Sequence, residues 1–239
     1  MYQYETRVQF SELNEEGYLS LARLVDYFQD AATSQAAENG ITYEELKANN
    51  LAWMVNFWQI VINRCPEDWE DVVVGTMPYE FKKFLGMRNC FMKSASGEML
   101  AMANSIWTLV DTEKLHPSRD YEKVVTKYVT EPRLDMDYAP RKISIPKDAE
   151  YREYEPFRVK RHNLDPNHHV NNSQYVVMAE DILPRHTRVR ELRIEYKNAA
   201  KYDDMIYPKR CTVNDGEQYI VRLCDEKGAD YVVVQVFTA

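Results

Sequence analysis

"ELNEEGYLSLARLVDYFQD", Glu12–Asp30, can be laid without a gap on "NLDPNHHVNNSQYVVMAED", Asn163–Asp181. Identities are few, yet the pattern coincides: Leu13 falls on Leu164, Asn14 on Asp165, Leu19 on Val170 and Asp30 on Asp181. In the first stretch Leu21, Leu24, Val25, Phe28, Ala31 and Ala32 recur at i, i+3, i+4 and i+7, the spacing of a helix with one wide apolar face. In the second, Tyr175, Val176, Ala179, Ile182 and Leu183 do the same until Pro184 stops the helix.

Strand-like runs follow each helix in matching order. After the first come "LAWMVNFWQIVI", "DVVVGTMPYEF", "GMRNCFMKSA" and "EMLAMANSIWTLV". After the second come "RVRELRIEY", "DMIYPKRCTV", "QYIVRLCDE" and "DYVVVQVFT". Turn chemistry sits between runs at "SASGE" and "NDGE", so the strands pair as hairpins. Each half reads as one strand, one apolar helix and an antiparallel meander, and a helix that apolar is most simply wrapped by its own sheet. The expected organisation is an N-terminal repeat over 1–111, a linker over 112–156 and a C-terminal repeat over 157–239. The linker holds five of the ten prolines and one short helical stretch near "SRDYEKVVTKYV".

Composition narrows the function. With 45% hydrophobic and 12% aromatic residues, the 239-residue chain can bury a large core. A formal charge of −8 argues against a nucleic-acid binder, and no run approaches the ~18 apolar residues of a membrane span. "MYQYETRVQF" alternates like a strand and lacks a signal-peptide pattern. Cys65, Cys90, Cys211 and Cys224 have no CxxC spacing and read as reduced thiols of a cytoplasmic protein.

The chemistry concentrates in "NLDPNHHVNN", Asn163–Asn172. Pro166 biases Asp165 toward an extended conformation, and an extended segment puts Asp165, Asn167 and His169 on one side. Such a span is roughly 13 Å, so the three groups converge on one substrate only if the loop curves. Asn171, Asn172 or Ser173 can cap the following helix, whose first N–H groups carry partial positive charge. An imidazole that takes a proton from water near neutral pH, beside donors for an oxyanion, suits acyl transfer. Asp and Asn are also ordinary capping and turn residues. His168 is out of phase with His169 and reads as structural or exposed. His162, His168 and His169 lack HxH or HxxxH spacing, so no metal site and no cofactor is expected. Where one half has Asn167 and His169, the other has Glu16 and Tyr18.

"LDPNHHVNNSQYVVMAED" followed by "ELRIEYKNAA" resembles the plant and bacterial acyl-acyl carrier protein thioesterases, whose second half carries L-D-x-N-x-H-V-N-N-x-x-Y and then E-Y-x-x-E-C. "YLSLARLVDYFQDAA", "LAWMVNFWQIVI" and "GEMLAMANSIWTLVD" are similar to that family's first repeat. The resemblance implies an α+β fold, a tandem (double) hot-dog of two antiparallel sheets each wrapped around a long apolar helix. It also implies hydrolysis of the thioester between a fatty acyl chain and the phosphopantetheine arm of acyl carrier protein, a step of fatty acid biosynthesis. By position it assigns catalysis to Asp165, Asn167 and His169. It places acyl-chain selection in the first repeat, where Trp53, Met54, Phe57 and Trp58 are candidates beside Asn171 and Asn172 for substrate binding. The family's Glu and Cys are replaced by Ala199 and Ala200, which leaves direct attack by water as the expected chemistry.

From Arg158 to Lys201 nine basic residues face five acidic ones, a local +4 that suits an acidic carrier protein. The alternatives are an acyl-CoA thioesterase and a non-catalytic acyl-thioester-binding sensor. No nucleic-acid partner and no membrane insertion are expected, and a homodimer is compatible with the pattern.

Overall fold

The computed structural model of the chain describes residues 1–118 and 120–239. It divides into two compact units, residues 1–19 with 26–139 and residues 20–25 with 140–239. In the first, β1 (Tyr2–Arg7) is followed by α1 (Leu21–Glu38), whose residues 21–25 group with the second unit, and by α2 (Tyr43–Ala48). Four long strands come next, β2 (Leu51–Ile62), β3 (Asp71–Lys82), β4 (Leu85–Ser94) and β5 (Met99–Asp111). Pairing is antiparallel in the order β1-β3-β4-β5-β2. A two-residue strand, β6 (His116–Pro117), pairs with the end of β5, and a short helix, α3 (Tyr121–Val125), follows. Arg119, inside the stretch expected to hold that helix, lies outside the described residues.

All six apolar positions read from the sequence of α1 are buried. Phe28 stacks on Trp58 of β2 with ring centres 6.2 Å apart, and the Cys90 thiol of β4 reaches its carbonyl oxygen at 3.8 Å. The helix ends where periodicity gives way to "NG". Gly40, at φ +68°, donates to the Ala37 carbonyl and Ile41 to that of Ala36, the paired bonds that close a helix through a left-handed residue.

The second unit has two short strands, β7 (Arg152–Glu153) and β8 (Phe157–Arg158), then α4 (Asn172–Glu180). Its sheet is built from β9 (Val189–Tyr196), β10 (Met205–Val213), β11 (Gln218–Cys224) and β12 (Asp230–Thr238). The antiparallel order is β9-β12-β11-β10, with β7 and β8 both on β10. Leu192, Ile194, Ile206, Ile220, Val232 and Val234 are buried, and α4 packs on β11 and β12. This helix is half as long as α1 and stops at Glu180 rather than at Pro184. Ile182 and Leu183 donate three residues back, to Ala179 and Glu180, which tightens the chain out of α geometry before the proline. Arg210 Nη1 then takes the Ile182 carbonyl at 2.6 Å. Among the described residues no helix is long and apolar enough to cross a membrane.

The proline-rich stretch is irregular but not idle. Irregular backbone has unspent donors and acceptors, and the outer face of the first sheet supplies partners. Buried Asn89 accepts from the Leu134 amide (3.1 Å) and the Tyr138 hydroxyl (2.9 Å). Buried Gln59 donates to the Asp137 carbonyl and accepts from the Ala139 amide, both at 2.8 Å. Further on, Ile143 joins Cys211, Ile220 and Val233 in the core of the second unit.

One close approach on that outer face is set by a missing Cβ. Gly75 and Phe91 are register partners on β3 and β4, and a Cβ at Gly75 would lie 2.1 Å from Phe91 Cζ. Phe91 is itself buried, so its ring has little room to swing away. Gly75→Ala is therefore expected to cost about 1–3 kcal/mol, read as a lower Tm. Adding Phe91→Leu should recover part of the loss; no recovery would mean that the clash is not the cause.

Candidate active site

The segment from Leu164 to Val170 does not run extended. Leu164 and Val170 form an isolated bridge, Asp165 N–H donates to the His169 carbonyl at 2.8 Å, and His168 N–H donates to the Asp165 carbonyl at 3.0 Å. Ends that an extended chain would hold roughly 13 Å apart thus come within hydrogen-bonding distance. The Asp165 carboxylate fastens the turn from inside, accepting from the amides of Asn167 (2.8 Å) and His169 (3.2 Å) and more distantly from Asn167 Nδ2 (3.4 Å). Asp165 and His169 are half-buried; Asn167 and His168 are exposed.

The same turn occurs 151 residues earlier. Leu13 bridges Leu19, Asn14 N–H donates to the Tyr18 carbonyl at 2.8 Å, and Gly17 N–H donates to the Asn14 carbonyl at 3.1 Å. Asn14 Oδ1 accepts from the amides of Glu16 (3.2 Å) and Tyr18 (3.0 Å). The gapless alignment is reproduced bond for bond. It also explains His168, which stands at φ +63° where the first copy has Gly17 at φ +83°. The turn needs a left-handed residue there, and histidine adopts that region more readily than most.

Val170 leads into the start of α4. Asn171 is the N-cap: its Oδ1 accepts from Ser173 N–H at 3.2 Å, and its carbonyl accepts from Gln174 N–H at 3.0 Å. Asn163 holds the cap in place, its carbonyl accepting from Asn171 N–H and its Nδ2 donating to Gln174 Oε1. Asn172 is the first helical residue, and its carbonyl accepts from the Tyr196 hydroxyl at 3.1 Å. Both asparagines are thus engaged in building the helix start. The expectation that helix amides are available to an oxyanion needs correction: those of Ser173 and Gln174 are already spent on the cap.

The segment after β9 runs alongside. His169 and Lys201 form an antiparallel bridge, and Val170 N–H donates to the Ala200 carbonyl at 2.9 Å. Ala200 N–H donates to the Tyr175 hydroxyl at 2.9 Å, a link that sequence periodicity missed because it counted Tyr175 only as apolar. Burial pushes that phenol well above its ordinary range, so it serves as a neutral hydrogen-bonding post. Ala199 and Ala200 bring no nucleophile and no carboxylate to His169. Cys211 and Cys224 are buried in strands, and burial raises the Cys224 thiol to about 11, the opposite of an activated thiolate.

The residues proposed for the acyl chain separate. A β-bulge between Val55 and Phe57 shifts the register of β2, so Trp53 and Trp58 share the face toward α1 while Met54 and Phe57 take the other. Trp53 packs edge-on against Tyr121, and Trp58 lies between Phe28 and Trp107. Phe57 is fully buried and Met54 is exposed.

A helix laid on an antiparallel sheet, occurring twice behind the same turn, defines a tandem hot-dog of the α+β class. Solved structures bear the fold out. An acyl-ACP thioesterase from Bacteroides thetaiotaomicron superposes with a TM-score of 0.88 at 17% identity, covering 99% of this chain and 97% of that one. A 12:0-ACP thioesterase from Umbellularia californica gives 0.86 at 16% identity, covering 100% and 96%. Residues 1–128 match the family model of the acyl-ACP thioesterase N-terminal domain, and residues 146–238 match that of the C-terminal domain. The chain belongs to the acyl-ACP thioesterase family. It is 25% identical over 249 residues to a chloroplastic palmitoyl-acyl carrier protein thioesterase of Gossypium hirsutum, and 24% identical over 243 to a chloroplastic acyl-[acyl-carrier-protein] hydrolase of Cuphea viscosissima. Each match takes in 92% of this chain but 59% and 58% of the relative.

Because His168 occupies a glycine-like position and its ring is exposed, His168→Gly should hold or raise stability, by up to about 1 kcal/mol. Thermal unfolding checks this; a Tm several degrees lower would show that the ring carries a contact the turn depends on.

Proposed function

We propose that this chain hydrolyses the thioester of a fatty acyl group on the phosphopantetheine arm of acyl carrier protein, releasing free acid and the carrier thiol. The observation that carries the reading is the closed Asp165–His169 turn. It brings an imidazole, a carboxylate and an amide side chain into five residues at the start of a helix. The family match and the names of the relatives supply the substrate class.

In this mechanism His169 takes a proton from water as the oxygen attacks the thioester carbonyl carbon. Asp165 positions the histidine through its backbone amide, and its charge favours the imidazolium that forms. With the first helix amides committed to the cap, Asn167 Nδ2 is the side-chain donor for the developing oxyanion; its bond to Asp165 is long and easily exchanged. The tetrahedral intermediate then expels the thiolate, which His169 reprotonates. For the acyl chain, Trp53 and Trp58, which share the α1-facing side of the first sheet, are the candidate contacts. His169→Ala is expected to lower kcat by about 10²–10⁴-fold with unchanged circular dichroism. Thiol release near the wild-type rate from that variant would remove the assignment.

Exposed basic side chains surround the turn and support an acidic carrier as partner. Lys201 bridges His169 through its backbone, while Lys160 and Arg161 precede Asn163. Arg158, Arg193 and Lys197 are instead committed to ion pairs with Asp203, Glu191 and Asp230. Exposed charges attract over about 10 Å at 0.1 M salt, so kcat/KM for acyl-carrier protein should fall steeply with ionic strength. Charge reversal at Lys160 and Lys201 should flatten that dependence. A salt-independent kcat/KM, or equal rates on the acyl-CoA thioester, would count against the carrier as the partner.

A further inference from the structure

The face of the first sheet that meets α1 is not the plain apolar wall that suits a saturated chain. Trp58 on β2, Ser105 on β5 and Arg88 on β4 are register partners across three neighbouring strands, so their side chains stand in one row. Arg88 is only 7% exposed, and among the described residues no carboxylate pairs with it. Its Nη1 donates to Thr76 Oγ1 at 3.0 Å, and its guanidinium lies 5.9 Å from the centre of the Tyr128 ring. A guanidinium has five N–H donors and stays charged, so one hydroxyl and one ring face leave it largely unmet.

Among the described residues three more polar atoms in this interior have no hydrogen-bond partner: Nε1 of Trp53, Nε1 of the fully buried Trp58 and Oε1 of Gln35, which is 6% exposed. Gln35 lies two helical turns beyond Phe28, the ring stacked on Trp58. Its neighbour Ala36 packs in one cluster with Tyr128, the ring beside Arg88. Buried polar groups are nearly always satisfied, and here donors and an acceptor remain open beside the stretch of α1 after Phe28, where Ala31, Ala32 and Ala36 are buried.

We infer that this interior binds acyl chains bearing an oxygen substituent, above all a hydroxyl, which accepts from Arg88 and Trp58 Nε1 and donates to Gln35 Oε1. The inference rests on the thioesterase reading for where the chain comes from, but it concerns which chain is held. An oxo group meets the donors and leaves Gln35 open, so it ranks second. A carboxylate meets Arg88 and is opposed by the Gln35 oxygen, and a saturated chain meets none of them.

Calorimetric binding of free acids of one length (saturated, 3-hydroxy, 3-oxo, ω-hydroxy and ω-carboxy) tests this without requiring hydrolysis. Thiol release from the matching thioesters runs beside it. A hydroxy acid should bind at least about tenfold more tightly than its saturated parent. Arg88→Met and Trp58→Phe should each bring that ratio toward one, while Gln35→Leu should lower hydroxy binding more than oxo binding. If Arg88→Met does not fold, as judged by circular dichroism, the other two variants decide. Equal affinity for all acids, tightest binding of the saturated or ω-carboxy acid, or variants that shift every acid alike would overturn the inference. Hydroxy-acid binding with no hydrolysis of any thioester would sink the hydrolytic reading and leave this one standing. Hydrolysis of all thioesters at equal kcat/KM would do the reverse.

Discussion

An oxygen atom that collects the amides two and four residues ahead of it holds the candidate site together. In the second unit it belongs to Asp165, and without it Asn167 and His169 have no reason to fold back over the same few ångströms. Asx side chains are suited to this because they are short enough to reach their own downstream backbone. The closed turn sets the entry into α4, and the entry sets where the Ala200 segment lies, through the bond from Val170 N–H to the Ala200 carbonyl. Tyr175, one turn into the helix, reaches across to the Ala200 amide and fixes the segment from its other side. A chain of local bonds therefore decides the surroundings of His169, with the hydrophobic core behind it as anchor.

Much of the fold is legible in the sequence because its signals are periodic. Strands β2 and β12 coincide with their apolar runs, and the apolar positions of α1 are all buried. The readings that slipped depend on competition between bonds that pattern does not encode. Nothing in "MAEDILP" reveals that Ile182 and Leu183 will bond three residues back, or that Arg210, distant in sequence, will claim the Ile182 carbonyl. A single extra residue in β2 was enough to bring Trp58 to the face of Trp53 and send Phe57 to the other. Alternation is a rule about uninterrupted strands, and a bulge resets its phase.

The site was legible as a set of residues and not as a geometry. Asp165, Asn167 and His169 stand in the sequence as a period-two series, and an extended strand would have scattered them along its length. What brings them together is the left-handed conformation at His168, foreshadowed by Gly17 at the same place in the first repeat. The open polar groups of Arg88, Gln35 and Trp58 had no sequence signature. Each lies in a different element, and only the register of three strands puts Arg88 and Trp58 in one row on the face that meets α1, the helix that carries Gln35.

The two copies of the turn also separate scaffold from chemistry. Asn14 makes the same pair of amide bonds through a neutral carboxamide oxygen, so folding the turn requires an acceptor and does not require a charge. Asp165 supplies the charge as well, in the copy that has a histidine four residues on. A carboxylate at that position carries a desolvation cost that asparagine avoids, and the bond it adds to the turn beyond those of the first repeat is the long one from Asn167 Nδ2. In the proposed mechanism that charge has a use, because it favours the positively charged imidazolium that His169 forms during attack by water. Tyr18, at the equivalent place in the first repeat, never acquires such a charge, and there the acceptor is neutral.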